Sequence, residues 1–125
     1  MGTQAKRFEY AVEIDGDDSA ALDPAWKAEH LVLAALARCS LASLAHHAKK
    51  DGLSVDADAR ARGVVSLRDD GSWGFVVIEC EIDARIDPEP ADLSDLLARA
   101  ERGCFIGASL RPAPRYSWTV NGLDR

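Results

Sequence analysis

Residues 29–45 read EHLVLAALARCSLASLA, and this stretch decides the fold. From Leu31 to Ala45 only Arg38, Cys39, Ser40 and Ser43 interrupt a run of leucine, valine and alanine. A helix this apolar on every side is expected to be surrounded by protein, as the central helix of a domain or within a dimer interface. Its small residues, Ala34, Ala35, Ala37, Ala42 and Ala45, would let neighbours approach closely. Upstream, Asp23-Pro24 has the form of a helix start, with Asp as cap and Pro at a position that needs no N–H. Downstream, Lys49 and Lys50 complement the dipole and Gly52 supplies the stop signal. The expected helix therefore begins at Asp23 and runs to about Lys50.

Strand patterns flank this helix. Phe8, Tyr10, Val12 and Ile14 alternate with Glu9, Ala11 and Glu13, the period of a half-buried strand, and Asp15-Gly16-Asp17-Asp18 ends it as a turn. Val55, Ala57, Ala59 and Ala61 alternate with Asp56, Asp58, Arg60 and Arg62 in a second strand with one wet face. Asp69-Asp70-Gly71-Ser72 reads as a hairpin turn into a third strand, which should put Val76, Ile78, Cys80 and Ile82 on one face. After Asp87-Pro88-Glu89-Pro90, a helix over Asp92–Gly103 carries the stripe Leu93, Leu97, Ala100 and Cys104, with Gly103 weakening it before the cysteine. Tyr116, Trp118 and Val120 alternate in a last strand. The order β-α-β-β-α-β predicts a single α+β domain over 1–125 with a mostly antiparallel sheet.

Composition narrows the function. The chain has 125 residues, enough for one core, with 47% hydrophobic and 29% charged residues. Its 15 basic and 21 acidic residues leave a net charge of −6. That balance repels phosphate backbones, so no nucleic-acid role is expected. The N-terminus lacks a signal-peptide pattern, and the Leu31–Ala45 run is shorter than the roughly 20 apolar residues a bilayer needs. A cytoplasmic protein with no membrane partner is expected.

Three cysteines do not make a secreted disulfide framework, and no Cys/His spacing suits a metal. Cys80 alternates with apolar strand neighbours and reads as core filler. Cys39 and Cys104 also lie in apolar segments, where a thiol can be buried and inert. Both have a cation close in sequence, Arg38 for Cys39 and Arg102 for Cys104, and a cation that faces a sulfur favours the thiolate. Adjacent helical positions face about 100° apart, so neighbouring in sequence does not place Arg38 on the Cys39 sulfur. His30, His46 and His47 read as surface residues.

The segment Glu29-His30-Leu31-Val32-Leu33-Ala34-Ala35-Leu36-Ala37-Arg38-Cys39 resembles the central-helix motif of the OsmC/Ohr family, in which a Glu precedes the first cysteine by ten residues. The second cysteine, 65 residues later and just before a terminal strand, matches as well. The likeness extends over roughly residues 7–121. It implies an OsmC-like fold with a long buried central helix, a second cysteine-bearing helix and an intertwined homodimer. It also implies a thiol-dependent peroxidase acting on organic hydroperoxides. Cys39 would be the peroxidatic thiolate, and its sulfenic acid would condense with Cys104 to a disulfide. Arg7 is the candidate for the family's arginine that holds the thiolate, and Glu29 for the carboxylate that orients that arginine. No bound cofactor or metal is implied; an external dithiol, such as a dihydrolipoyl protein, would reduce the disulfide. The alternative is a non-catalytic OsmC-like or ferredoxin-like small-molecule-binding dimer in which the cysteines only pack.

Overall fold

Among the described residues, five strands form one mixed sheet in the order β1-β2-β3-β4-β5, and three helices lie in the connections. A computed structural model describes residues 6–15 and 23–125. Strand β1 (Arg7–Asp15) pairs antiparallel with β2 (Ser54–Leu67), and β2 pairs antiparallel with β3 (Trp73–Asp87). Strand β4 (Arg115–Val120) joins β3 in parallel, and the short β5 (Leu123–Asp124) folds back on β4. Three of the four pairings are antiparallel. The sheet does not have the ferredoxin-like arrangement: β1 and β2, although joined through a helix, are antiparallel neighbours instead of a βαβ crossover.

Helix α1 (Ala28–Lys50) lies across the sheet and buries Leu33, Leu36, Ala37, Leu44 and Ala48 against it. It starts later than the sequence suggested. Asp23 does not cap α1; its side chain accepts from the Ala25 N–H at 2.8 Å and its carbonyl from Trp26 N–H at 3.0 Å. Pro24 therefore sits at the second position of a β-turn, the place its fixed φ favours. The helix start is held instead by His30, whose Nδ1 accepts from the Lys27 N–H at 2.9 Å and whose ring packs edge-on against Tyr10. His30 is thus a half-buried cap and not a surface residue.

Among the described residues α1 is covered on one side only. Leu31, Arg38, Ala42 and Ala45 are exposed on the other, so the helix is not enclosed all round. At 23 residues it is long and apolar enough to span a bilayer, but its packed face gives it the position of a core helix.

The sheet side of the core comes from Val12 and Ile14 on β1, Ala57, Ala59 and Ala61 on β2, and Ile78, Cys80, Ile82, Ala84 and Ile86 on β3. Alanines on β2 leave room for the helix. The pleat of β3 changes at a bulge: Val64 faces Val77 and Val65 faces Phe75, which leaves Val76 as the extra residue. Val76 is consequently exposed, not on the inward face with Ile78, and Phe75 turns inward in its place. A Cβ on Gly63 would lie 2.6 Å from that ring, so glycine makes the contact possible. The β2–β3 turn closes with Ser72 N–H on Asp70 Oδ1 at 2.9 Å, Gly71 supplying a φ of 85°. The turn expected at 16–18 lies outside the described residues.

Helix α2 (Leu93–Arg102) begins at Asp92, whose carboxylate accepts from Asp95 N–H at 3.0 Å, and ends at Gly103. Cys104 does not continue its stripe. It caps the short α3 (Phe105–Ser109), because the chain leaves α2 at Gly103 and restarts one residue later.

Candidate active site

Cys39 and Cys104, 65 positions apart in sequence, come close enough that each perturbs the ionisation of the other. Cys39 sits in the middle of α1, on the boundary between its buried and exposed sides. The break at Gly103 swings Cys104 inward, so its sulfur reaches α1 from the start of α3.

The two sulfurs differ in access. Cys104 is 0% exposed, whereas Cys39 is half-buried and lines an open groove of about 480 Å³. Ile14 and Asp15 of β1, Arg38, Ala42 and Ala45 of α1, and Val55 and Ala57 of β2 also line that groove. A small molecule from solvent therefore meets Cys39 first.

They differ equally in their hydrogen bonds. Ser40 Oγ lies 3.4 Å from Cys104 Sγ, and the Gly107 N–H donates to the same sulfur at 3.3 Å. Burial alone would raise the Cys104 thiol, but hydrogen bonding with Ser40 and the Gly107 N–H, helped by the nearby Cys39 and Tyr116 side chains, outweighs it, so its pKa falls below the ordinary thiol value. Cys39 is raised: burial disfavours its charge, N–H groups of Ile106 and Phe105 oppose this in part, and the Cys104 sulfur reinforces it.

Cys80 belongs to this cluster as well as to the core. Register places it opposite Tyr116 on β4, and its thiol donates to Ser40 Oγ at 3.8 Å. Burial pushes its pKa up to about 11. Tyr116 carries a buried hydroxyl, and its ring stacks on Trp118 with centroids 6.1 Å apart. A Cβ on Gly107 would collide with the Tyr116 hydroxyl and lie 3.3 Å from Cys104 Sγ, so only glycine leaves space for both groups.

The remaining expected site residues lie elsewhere. Glu29 is on the first turn of α1, about 15 Å from Cys39 along an unbroken helix. One of its carboxylate oxygens, Oε2, is buried without a hydrogen-bond partner among the described residues. Arg7 is exposed at the head of β1, opposite Ser66. Ile14, in the Cys39 groove, is seven residues further along, about 23 Å in extended backbone. The chain by itself does not bring Arg7 or Glu29 to the thiols. Arg38 is exposed and lines the Cys39 groove. No group of metal-ligating side chains occurs among the described residues.

Sequence reasoning missed Ser40, Tyr116 and Gly107. Ser40 was visible only as a polar residue beside Cys39, and Tyr116 as one member of a strand alternation. The parallel β3–β4 register that sets Tyr116 beside Cys80 has no short-range sequence signal.

Residues 16–119 match the family model described as OsmC-like protein. Among solved structures, the organic hydroperoxide resistance protein OhrB of Bacillus subtilis is similar, at 17% identity and a TM-score of 0.57, over 95% of this chain and 98% of that one. The organic hydroperoxide resistance protein OsmC of Legionella pneumophila aligns at 18% identity and a TM-score of 0.57, over 78% of this chain and 71% of that one. No curated protein sequence matches the chain. With a family match over most of its length and that fold, the chain belongs to the OsmC-like family.

Proposed function

We propose that this protein is a thiol-dependent peroxidase that reduces organic hydroperoxides with the Cys39–Cys104 pair. The observation that carries this reading is the approach of two thiols of unequal access, the half-buried one lining a groove. The peroxide would enter the groove and be attacked by Cys39, the sulfur it can reach. Sulfur attack breaks the O–O bond, releases an alcohol and leaves a sulfenic acid on Cys39. Cys104 then displaces hydroxide from that sulfur, forming the disulfide, and an external dithiol such as a dihydrolipoyl protein restores both thiols by exchange.

A homodimer fits this role. The uncovered side of α1, with Leu31, Ala42 and Ala45 exposed, is the surface a second copy would cover. A second copy would also be the source of the cation that the buried Glu29 oxygen lacks, with Arg7 as the candidate. Reducing thiol chemistry fits a cytoplasmic location. The test is consumption of cumene hydroperoxide in the presence of a dithiol. Loss of turnover in Cys39→Ser supports the reading. A purified protein that consumes no hydroperoxide, with no sulfenic acid trapped at Cys39, leaves the pair as packing residues of a binding dimer.

A further inference from the structure

Cys104 has two thiol neighbours, since both Cys39 and Cys80 feel its charge, and only Cys39 lines the groove. Cys80 is 0% exposed, on the core face of β3. Ser40 stands with both buried sulfurs and is itself 1% exposed on α1. Its Oγ lies 3.4 Å from Cys104 Sγ and accepts from the Cys80 thiol at 3.8 Å. The single Ser40 proton is then left for Cys104, which the Gly107 N–H also holds at 3.3 Å. A Cys80–Cys104 disulfide would remove the Cys80 proton and draw the two sulfurs to about 2 Å. The Ser40 oxygen would lose its donor in a site closed to water, which is costly. A Cys39–Cys104 disulfide leaves the Cys80–Ser40 hydrogen bond in place.

We propose that Ser40 is a positioning residue that reserves Cys104 for Cys39 by holding Cys80 and Cys104 as separate thiols. The purpose of this device rests on the peroxidase reading, because a Cys104 bonded to Cys80 no longer resolves a sulfenic acid on Cys39. The mispairing it opposes is a thiol–disulfide exchange. Cys80, as the thiolate, attacks the Cys104 sulfur of a Cys39–Cys104 bond. The new S–S bond forms, the old one breaks, and Cys39 leaves as a thiolate that takes up the proton Cys80 gave away. One disulfide replaces another, with no net oxidation. Burial, which pushes the Cys80 pKa up to about 11, keeps that attack slow, and the stranded Ser40 hydroxyl makes its product unfavourable. Because Ser40 follows Cys39 on the same helix, α1 carries both the partner of Cys104 and the group that guards the pairing.

The pairing can be read without peroxide. The reduced protein is equilibrated with glutathione and glutathione disulfide, quenched in acid, and its unreduced peptides are mapped by mass spectrometry. Glutathione disulfide takes the two electrons of the protein thiols and is released as two glutathione thiols. In the wild type Cys39–Cys104 should be the main disulfide. In Ser40→Ala the ratio of Cys80–Cys104 to Cys39–Cys104 should rise about tenfold. Adding Cys80→Ala to Ser40→Ala should return the protein to Cys39–Cys104 alone. Alanine is smaller than serine and favours the helix, and native circular dichroism identifies a variant that has kept the fold. An unchanged ratio in folded Ser40→Ala would overturn the proposal. Cys80–Cys104 as the main disulfide of the wild type would overturn it whatever the variants do. A wild type that pairs Cys39 with Cys104 in this buffer but leaves cumene hydroperoxide unconsumed would sink the peroxidase reading alone.

Discussion

Ser40 Oγ stands 3.4 Å from Cys104 Sγ and accepts from the Cys80 thiol, so one serine joins two of the three cysteines in the chain. It is the residue after Cys39, and the 100° step of the helix is what separates the two roles. Cys39 is left at the groove, while Ser40 faces the core and the thiol from α3.

The three thiols should ionise in a set order. Cys104 loses its proton below the ordinary thiol value, and Cys39 and Cys80 above it, Cys80 at about 11. Thiolate absorbance should therefore rise in separate steps, the first disappearing in Cys104→Ser. Three thiols titrating together at the unperturbed value would contradict the arrangement.

The same shifts make stability depend on pH. Cys104 is depressed in the folded state, so its contribution is present above the unfolded thiol value and is lost as pH falls through the folded one. Cys39 and Cys80 are raised, so their contribution is present below the unfolded value and is lost as pH climbs through their folded values. Two raised thiols oppose one depressed thiol above the unfolded value, and the melting temperature should fall as pH approaches 11. Alanine or serine at Cys80 should flatten that decline; a decline unchanged in Cys80→Ala would remove Cys80 as its source.

Gly107→Ala places a methyl group against the Tyr116 hydroxyl and Cys104 Sγ. It should displace α3 or the tyrosine, destabilise the protein by about 1–3 kcal/mol and slow disulfide formation between Cys39 and Cys104. Denaturant unfolding together with the rate of disulfide formation checks both. Wild-type values for each would show that the space is not needed.

Leu36→Ala removes a fully buried side chain from the face of α1 that packs on the sheet. A loss of about 2–5 kcal/mol is expected in denaturant unfolding. A loss well under that range would mean the helix is less tightly packed than described.

The architecture was largely legible in the sequence, because periodicity records which face of an element is buried. The alternation at Phe8–Ile14 and the Asp70-Gly71 turn appear where their chemistry demands. The misreadings share one cause, local signals answered by other local partners. Asp23-Pro24 has the residues of a helix start but spends them on a turn, and His30 takes over the capping. The Leu93–Ala100 periodicity runs on to Cys104 only on paper, since Gly103 ends α2 and resets the direction of the cysteine. The bulge at Val76 reverses a face that strict alternation would keep. Cys39 and Cys104 could be picked out from the sequence, but Ser40, Cys80, Tyr116 and Gly107 are joined to them only by long-range register. Their role was out of reach of any local pattern.

Arg7 is exposed at the head of β1, yet Glu29 keeps a buried carboxylate oxygen without a hydrogen-bond partner among the described residues. If a second copy supplies Arg7 to this end of α1, Arg7→Ala should lower kcat/KM for hydroperoxide by about 10–100-fold while the melting temperature holds. Undiminished kcat/KM in Arg7→Ala would assign the cation elsewhere.

The central claim is that Cys39 and Cys104 form a redox pair driven by hydroperoxide. Its most direct measurement is peptide mapping of the reduced protein after one equivalent of cumene hydroperoxide, before and after addition of a dithiol. A Cys39–Cys104 disulfide formed with one equivalent of alcohol released, and returned to two thiols by the dithiol, is the predicted result. Unconsumed hydroperoxide with all three cysteines still reduced, or oxidation confined to other residues, would contradict it.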